Sequence, residues 1–129
     1  KAAAIHEVAA VQSEYSLSTR YPELGLVQKL QKLKATLIAF SPLGRSLLTD
    51  KPHSFKKAQT IAFLKGNPRF LEPNLSSNIQ ITSKFREYAL DNSMSAAQLS
   101  LSWLLNKNKN LMQLKIKLLL LPQKMEFQF

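Results

Sequence analysis

The sequence contains no cysteine, and its 129 residues carry only 8 acidic side chains against 18 lysines and arginines. The first absence excludes disulfides and thiolate metal sites, and it fits a reducing, cytoplasmic setting. Long apolar runs are also missing. The greasiest stretch, Leu118-Leu119-Leu120-Leu121, is cut off by Pro122, whereas a membrane span needs about 18 consecutive apolar residues. The opening Lys1-Ala2-Ala3-Ala4-Ile5-His6 does not resemble a signal peptide. No cluster of His, Asp and Glu has metal-ligand spacing, and no serine stands in a nucleophile elbow. His6 and His53 stand alone and read as surface or loop residues.

What is present suffices for one small domain: 45% of the residues are hydrophobic and 20% are charged. The net charge of +10 permits nucleic acid, anionic lipid or a phosphate-bearing small molecule as a partner. Lysines gather at Lys56-Lys57 and at Lys107, Lys109, Lys115 and Lys117, but they form no basic helix interleaved with aromatics. Neither a membrane nor a nucleic acid is therefore the expected partner. A solvated, lysine-rich surface is the plainer reading.

Along the chain, Val8–Gln12 is a short apolar run without two-residue alternation, the pattern of a buried parallel strand. Pro22 and Glu23 suit the first turn of a helix, and Leu24, Val27, Leu30 and Leu33 extend it at helical spacing to about Lys34. Thr36–Phe40 is a second apolar strand, so strand, helix and strand make a right-handed βαβ unit. From Ser41 to about Pro73, glycines and prolines punctuate a loop-like stretch. A helix follows from about Asn74 to Leu90. Another begins at Ser93 or Ser95, with Gln98 completing a capping box on Ser95, and fades over Asn106–Asn110. Leu111–Phe129 mixes Leu and Lys irregularly and fits a strand, a helix or neither.

Two segments bear on chemistry. The turn Ser41-Pro42-Leu43-Gly44-Arg45 lies directly behind a strand, where an α/β protein offers backbone N–H groups and an aromatic face to a phosphate-bearing cofactor. Upstream stands Val8-Ala9-Ala10-Val11-Gln12-Ser13-Glu14-Tyr15-Ser16-Leu17. Pro68-Arg69-Phe70 with Asn74, and Ser95-Ala96-Ala97-Gln98-Leu99 with Trp103-Leu104-Leu105, follow downstream. In this order the four signatures resemble the C-terminal half of the aldo-keto reductases, NADP(H)-dependent carbonyl reductases, from about Lys1 to Asn106. The resemblance implies an α/β fold: a partial (β/α)8 TIM barrel with a C-terminal βαβ unit, further helices and a divergent tail. It places the reductase part at 1–110 and the tail at 111–129. A complete barrel needs about 200–250 residues.

The resemblance also implies roles. The Gln12 amide would hydrogen-bond the nicotinamide carboxamide, and the Phe40 ring would stack on the nicotinamide, where many members carry tyrosine. Ser41, Pro42, Leu43, Gly44 and Arg45 would line the pyrophosphate, with the Arg45 guanidinium as a planar fork. Each has a plainer alternative: a satisfied strand-end amide, a core aromatic closing a strand, and a solvated loop arginine. Tyr15 does not match the family's catalytic tyrosine. The family's catalytic Asp, Tyr, Lys and His precede the matched region, so no residue here is assigned a catalytic role. The tail lacks an Ile-Pro-Gly-Thr/Ser-Lys-like turn and its contacts to the adenosine 2′-phosphate, so preference between NADP and NAD is not legible.

The expected function is that of a piece of an NADP-dependent aldehyde or ketone reductase, inactive alone. One alternative is half of a split reductase, completed by a partner chain before it takes a small carbonyl substrate. The other, from a different class, is a basic module binding nucleic acid or an anionic surface. The cofactor reading requires Val8–Gln12 and Thr36–Phe40 to pair in parallel, with Gln12 and the Phe40–Arg45 turn at the same sheet edge.

Overall fold

Thr36-Leu37-Ile38-Ala39-Phe40 joins a β-branched start to an apolar run, and it forms the central strand of a parallel sheet in the computed structural model, which describes residues 4–109 and 116–118. Strand β1 is Ala10–Glu14, β2 is Thr36–Phe40 and β3 is Ile116–Leu118, in the spatial order β1-β2-β3. Both pairings are parallel. The chain packs as two units, one taking the residues up to Pro42 and from Leu104 onward, the other Leu43–Trp103.

In the first unit, β1 begins two residues later than the apolar run Val8–Gln12 and ends at Glu14. The ladder explains the shift. Ala10 pairs with Thr36 and Glu14 with Phe40, so β1 takes its register from β2, and the polar Ser13 and Glu14 are drawn into it. One further bond on each side, Thr36 N–H to the Ala9 carbonyl (2.9 Å) and Tyr15 N–H to the Phe40 carbonyl (3.1 Å), closes the ends. Alternation is clear on β2: Leu37 and Ala39 are fully buried, whereas Thr36, Ile38 and Phe40 are not.

The single helix expected from Pro22 to Lys34 is broken. Tyr21–Leu24 is a 3-10 turn, Gly25 interrupts at φ 152°, and helix α1 runs from Leu26 to Leu33. The first proper α-helical bond is Lys29 N–H to the Gly25 carbonyl, 3.0 Å. Val27 and Leu30 are the buried residues of α1, which packs on β2, and Lys34 closes the helix in the left-handed conformation. Apolar spacing through Leu24 hid the break, because Leu24 itself is 89% exposed. A Cβ built on Gly25 meets nothing within 4 Å, so only the backbone resists substitution there. Gly25→Ala is expected to cost about 1–2 kcal/mol, read as a lower urea midpoint at unchanged slope.

The second unit replaces the expected loop of 41–73 with short helical turns on a small core. A 3-10 turn spans Gly44–Ser46, helix α2 spans Phe55–Gln59, and a further 3-10 turn spans Pro68–Phe70. Leu47, Ala58, Leu64, Phe70 and Leu75 form the buried cluster, with Ile61 and Ile79 against it. Side-chain amides catch the exposed carbonyls of the Pro68 turn: Asn74 bonds Pro68 and Asn78 bonds Arg69, each at 3.0 Å. The helix expected from Asn74 to Leu90 is two, α3 (Asn74–Ile81) and α4 (Ser83–Asp91). They meet at Thr82, whose hydroxyl donates to the Asn78 carbonyl, while the Arg86 guanidinium donates to the Ile79 carbonyl.

Helix α5 runs from Ala96 to Lys109, so it ends within the polar run Asn106–Asn110 where its sequence predicts fading. Its capping box is as expected: Gln98 N–H bonds Ser95 Oγ at 3.0 Å, and Ser95 N–H bonds Gln98 Oε1 at 2.8 Å. Asp50 Oδ1 adds a long-range cap by accepting from Ala96 N–H at 2.8 Å. Of the segment 111–129, left open by its sequence, Ile116–Leu118 is a strand and the rest lies outside the described residues.

Candidate cofactor-binding site

Gln12 lies on β1 opposite Ile38, and Phe40 ends β2 opposite Glu14. Partners in a parallel register share a face, so Ala10, Gln12 and Glu14 line up with Thr36, Ile38 and Phe40. This is not the face that buries Leu37 and Ala39. Gln12 is therefore not at the strand end, as its sequence suggested, but two residues inside it. Strand rise and spacing put the Cα atoms of Gln12 and Phe40 about 8 Å apart. The Gln12 side chain is exposed, and Phe40 retains 38% of its surface, so it does not simply close a core.

Behind Phe40 the backbone turns sharply. Ser41 has φ 51°, and Pro42 is buried. Leu43, Gly44 and Arg45 belong to the second unit. Gly44, Arg45 and Ser46 follow one another at φ 58°, 56° and 91°, three consecutive left-handed residues of which only the first is glycine. Carbonyls of this turn accept from Ser46, Leu47 and Leu48, while the Leu43 and Gly44 amides donate to no acceptor among the described residues. The Arg45 guanidinium carbon lies 5.6 Å from the centroid of the Phe63 ring. The first unit thus presents an exposed side-chain amide and a half-open aromatic face, groups that suit a nicotinamide, and the second presents a guanidinium, a group that suits a diphosphate.

A second polar cluster, which the sequence did not reveal, braces the C-terminal end of β1, the end at which Glu14 pairs with Phe40. Tyr15 is fully buried, and its hydroxyl donates to Glu23 Oε1 at 3.0 Å. Arg20 grips the same carboxylate through Nε (3.1 Å) and Nη2 (2.7 Å), and Lys107 Nζ stands 3.8 Å away. Burial, then the Glu23 carboxylate, push the Tyr15 phenol well above its ordinary range, so it is a poor proton donor. The Arg20 hydrogen bonds hold Glu23 below the usual carboxylate range. Since the unfolded carboxylate binds its proton more readily, stability from Glu23 is present above the ordinary carboxylate range and lost as pH falls through the lowered value. Thermal melts from about pH 7 to about pH 3 should fall less steeply for Glu23→Gln than for the unsubstituted chain.

Among the described residues no group of His, Cys, Asp and Glu could hold a metal ion, and no helix is long and apolar enough to cross a membrane. His6 is exposed and His53 lies between Asp50 and α2; neither stands on β1 or β2.

The sequence pattern of the aldo/keto reductase family matches residues 1–115, past Asn106. Aldo-keto reductase yakc [NADP(+)] of Schizosaccharomyces pombe is 32% identical over 118 residues, covering 87% of this chain and 34% of that protein. Probable aldo-keto reductase 1 of Glycine max is 34% identical over 110 residues, 85% of this chain and 32% of that one. Among solved structures, the glycerol dehydrogenase AKR11B4 from Gluconobacter oxydans superposes with a TM-score of 0.64 at 20% identity, over 87% of this chain and 34% of its own. The chain thus spans about a third of the length of the curated relatives it matches, and the fold is part of a TIM-barrel-like α/β architecture.

Proposed function

The chain belongs to the aldo/keto reductase family, and on that premise we propose that it is the cofactor-holding part of an NADP(H)-dependent reductase of aldehydes or ketones. The observation that carries this reading is the shared face of Gln12 and Phe40 on two parallel strands, with Phe40 running straight into the Ser41–Arg45 turn. When bound, the nicotinamide supplies the hydride. Gln12 offers its side-chain amide to the carboxamide, where one donor and one acceptor fix the ring's orientation. Phe40 presents an aromatic face that covers one side of the ring and leaves the other to the carbonyl. Leu43 and Gly44 offer backbone N–H groups, and Arg45 a planar cation, to the diphosphate.

The proton that the reduced carbonyl oxygen needs comes, in this reading, from a segment other than these 129 residues, either further along a longer chain or on a partner chain that completes the barrel. Tyr15 is the aromatic acid nearest in sequence to Gln12, and it is buried on Glu23. NADPH titration followed by its fluorescence tests the cofactor reading. Arg45→Ala is expected to weaken binding by about ten-fold or more, as loss of a charge-assisted pair should. Unchanged affinity in that variant would remove Arg45 from the site.

A further inference from the structure

We propose that Phe63 is a positioning residue that holds the Arg45 guanidinium ready for a diphosphate. The inference rests on the reading of Arg45 as a diphosphate contact, and it adds a residue that neither the chain's motifs nor its turn chemistry marks.

Three observations meet at this pair. The guanidinium carbon sits 5.6 Å from the Phe63 ring centroid, within the range of a cation–π contact. The ring is 65% exposed although its neighbour Leu64 is buried at 1%, so core packing does not account for a phenylalanine at this position. The backbone beneath Arg45 is set by three successive left-handed residues, an arrangement that costs energy at Arg45 and Ser46 and aims the side chain in one direction.

The platform itself is firm. Leu64 anchors it in the core of the second unit, and both Leu64 and Lys65 donate their N–H to the Ile61 carbonyl at 2.9 Å. Stacking uses the face of a guanidinium, whereas a phosphate is gripped through the in-plane N–H groups. One contact therefore does not compete with the other. A long arginine side chain loses much rotamer freedom when it binds an anion, and a ring that has already restricted it reduces that cost.

The test titrates the full chain with inorganic diphosphate and, separately, with NADPH, and follows the Arg45 Nε–H resonance by NMR. Phe63→Leu keeps an apolar side chain but removes the ring. It is expected to weaken both ligands about three- to ten-fold and to move the Arg45 Nε–H signal away from its ring-shifted position. Phe63→Trp is expected to restore both readouts. Binding and resonance unchanged in Phe63→Leu, with Arg45→Ala still losing affinity, would overturn the platform and leave the Arg45 reading intact. Equal titration by Arg45→Ala, or no titration by the unsubstituted chain, would overturn the Arg45 reading and the platform with it.

Discussion

Carbonyl-dependent oxidation of NADPH by the 129-residue chain alone is expected to run about 10²–10⁴-fold slower than by the same chain joined to a segment that brings a positioned proton donor. Reduction of a carbonyl leaves charge on oxygen, and the rate depends on an acid within hydrogen-bond reach of it. The residues of β1 and β2 supply an amide, an aromatic face and a carboxylate, but no acid suited to that step. Tyr15 follows β1 directly, yet its hydroxyl is committed to Glu23 and raised in pKa by burial. Stopped-flow or steady-state absorbance of NADPH with an aldehyde measures the difference. Turnover by the chain alone that is abolished by a substitution within it would contradict the assignment of proton delivery to another segment.

Phe70→Ala is expected to cost the second unit about 3–5 kcal/mol, a large share of the roughly 5–15 kcal/mol that holds a typical domain together. Phe70 is fully buried among Leu47, Ala58, Leu64 and Leu75, and this cluster has few members to close around a cavity. Its backbone is also held, by Phe70 N–H to the Asn67 carbonyl at 2.8 Å and by Gln59 to the Phe70 carbonyl. Urea unfolding followed through Trp103, the single tryptophan, reads the loss as a lower midpoint. A shift under about 1 kcal/mol would mean that Phe70 does not organise this core.

The sequence and the structure agree where one local rule acts unopposed. Thr36–Phe40 forms the strand its β-branched and apolar residues predict, and the Ser95–Gln98 capping box forms atom for atom. They part where a long-range partner decides. β1 slides to Ala10–Glu14 because its register answers to β2, which no local pattern encodes. The segment 41–73 reads as loop because its glycines and prolines are visible, whereas Leu47, Leu64 and Phe70 meet only in three dimensions. Helices α3 and α4 separate at Thr82, whose side chain competes for carbonyls that would otherwise continue the helix.

The candidate site divides in the same way. Gln12, Phe40 and the Ser41–Arg45 turn were legible as motifs, and the shared face of Gln12 and Phe40 follows from the parallel register. The inward position of Gln12 did not follow from sequence. Nor did the ring of Phe63 beneath Arg45, since nothing in the spacing of these two residues announces a contact.

The most direct test of the central claim, that this chain holds a dinucleotide, is an amide-shift map of the full chain titrated with NADPH. Saturable shifts are expected at the Gln12 side-chain amide, at Phe40 and across Ser41–Arg45, with inorganic diphosphate alone moving only Leu43, Gly44 and Arg45. Saturable binding that leaves Gln12, Phe40 and Gly44 unmoved while shifting residues elsewhere would contradict it.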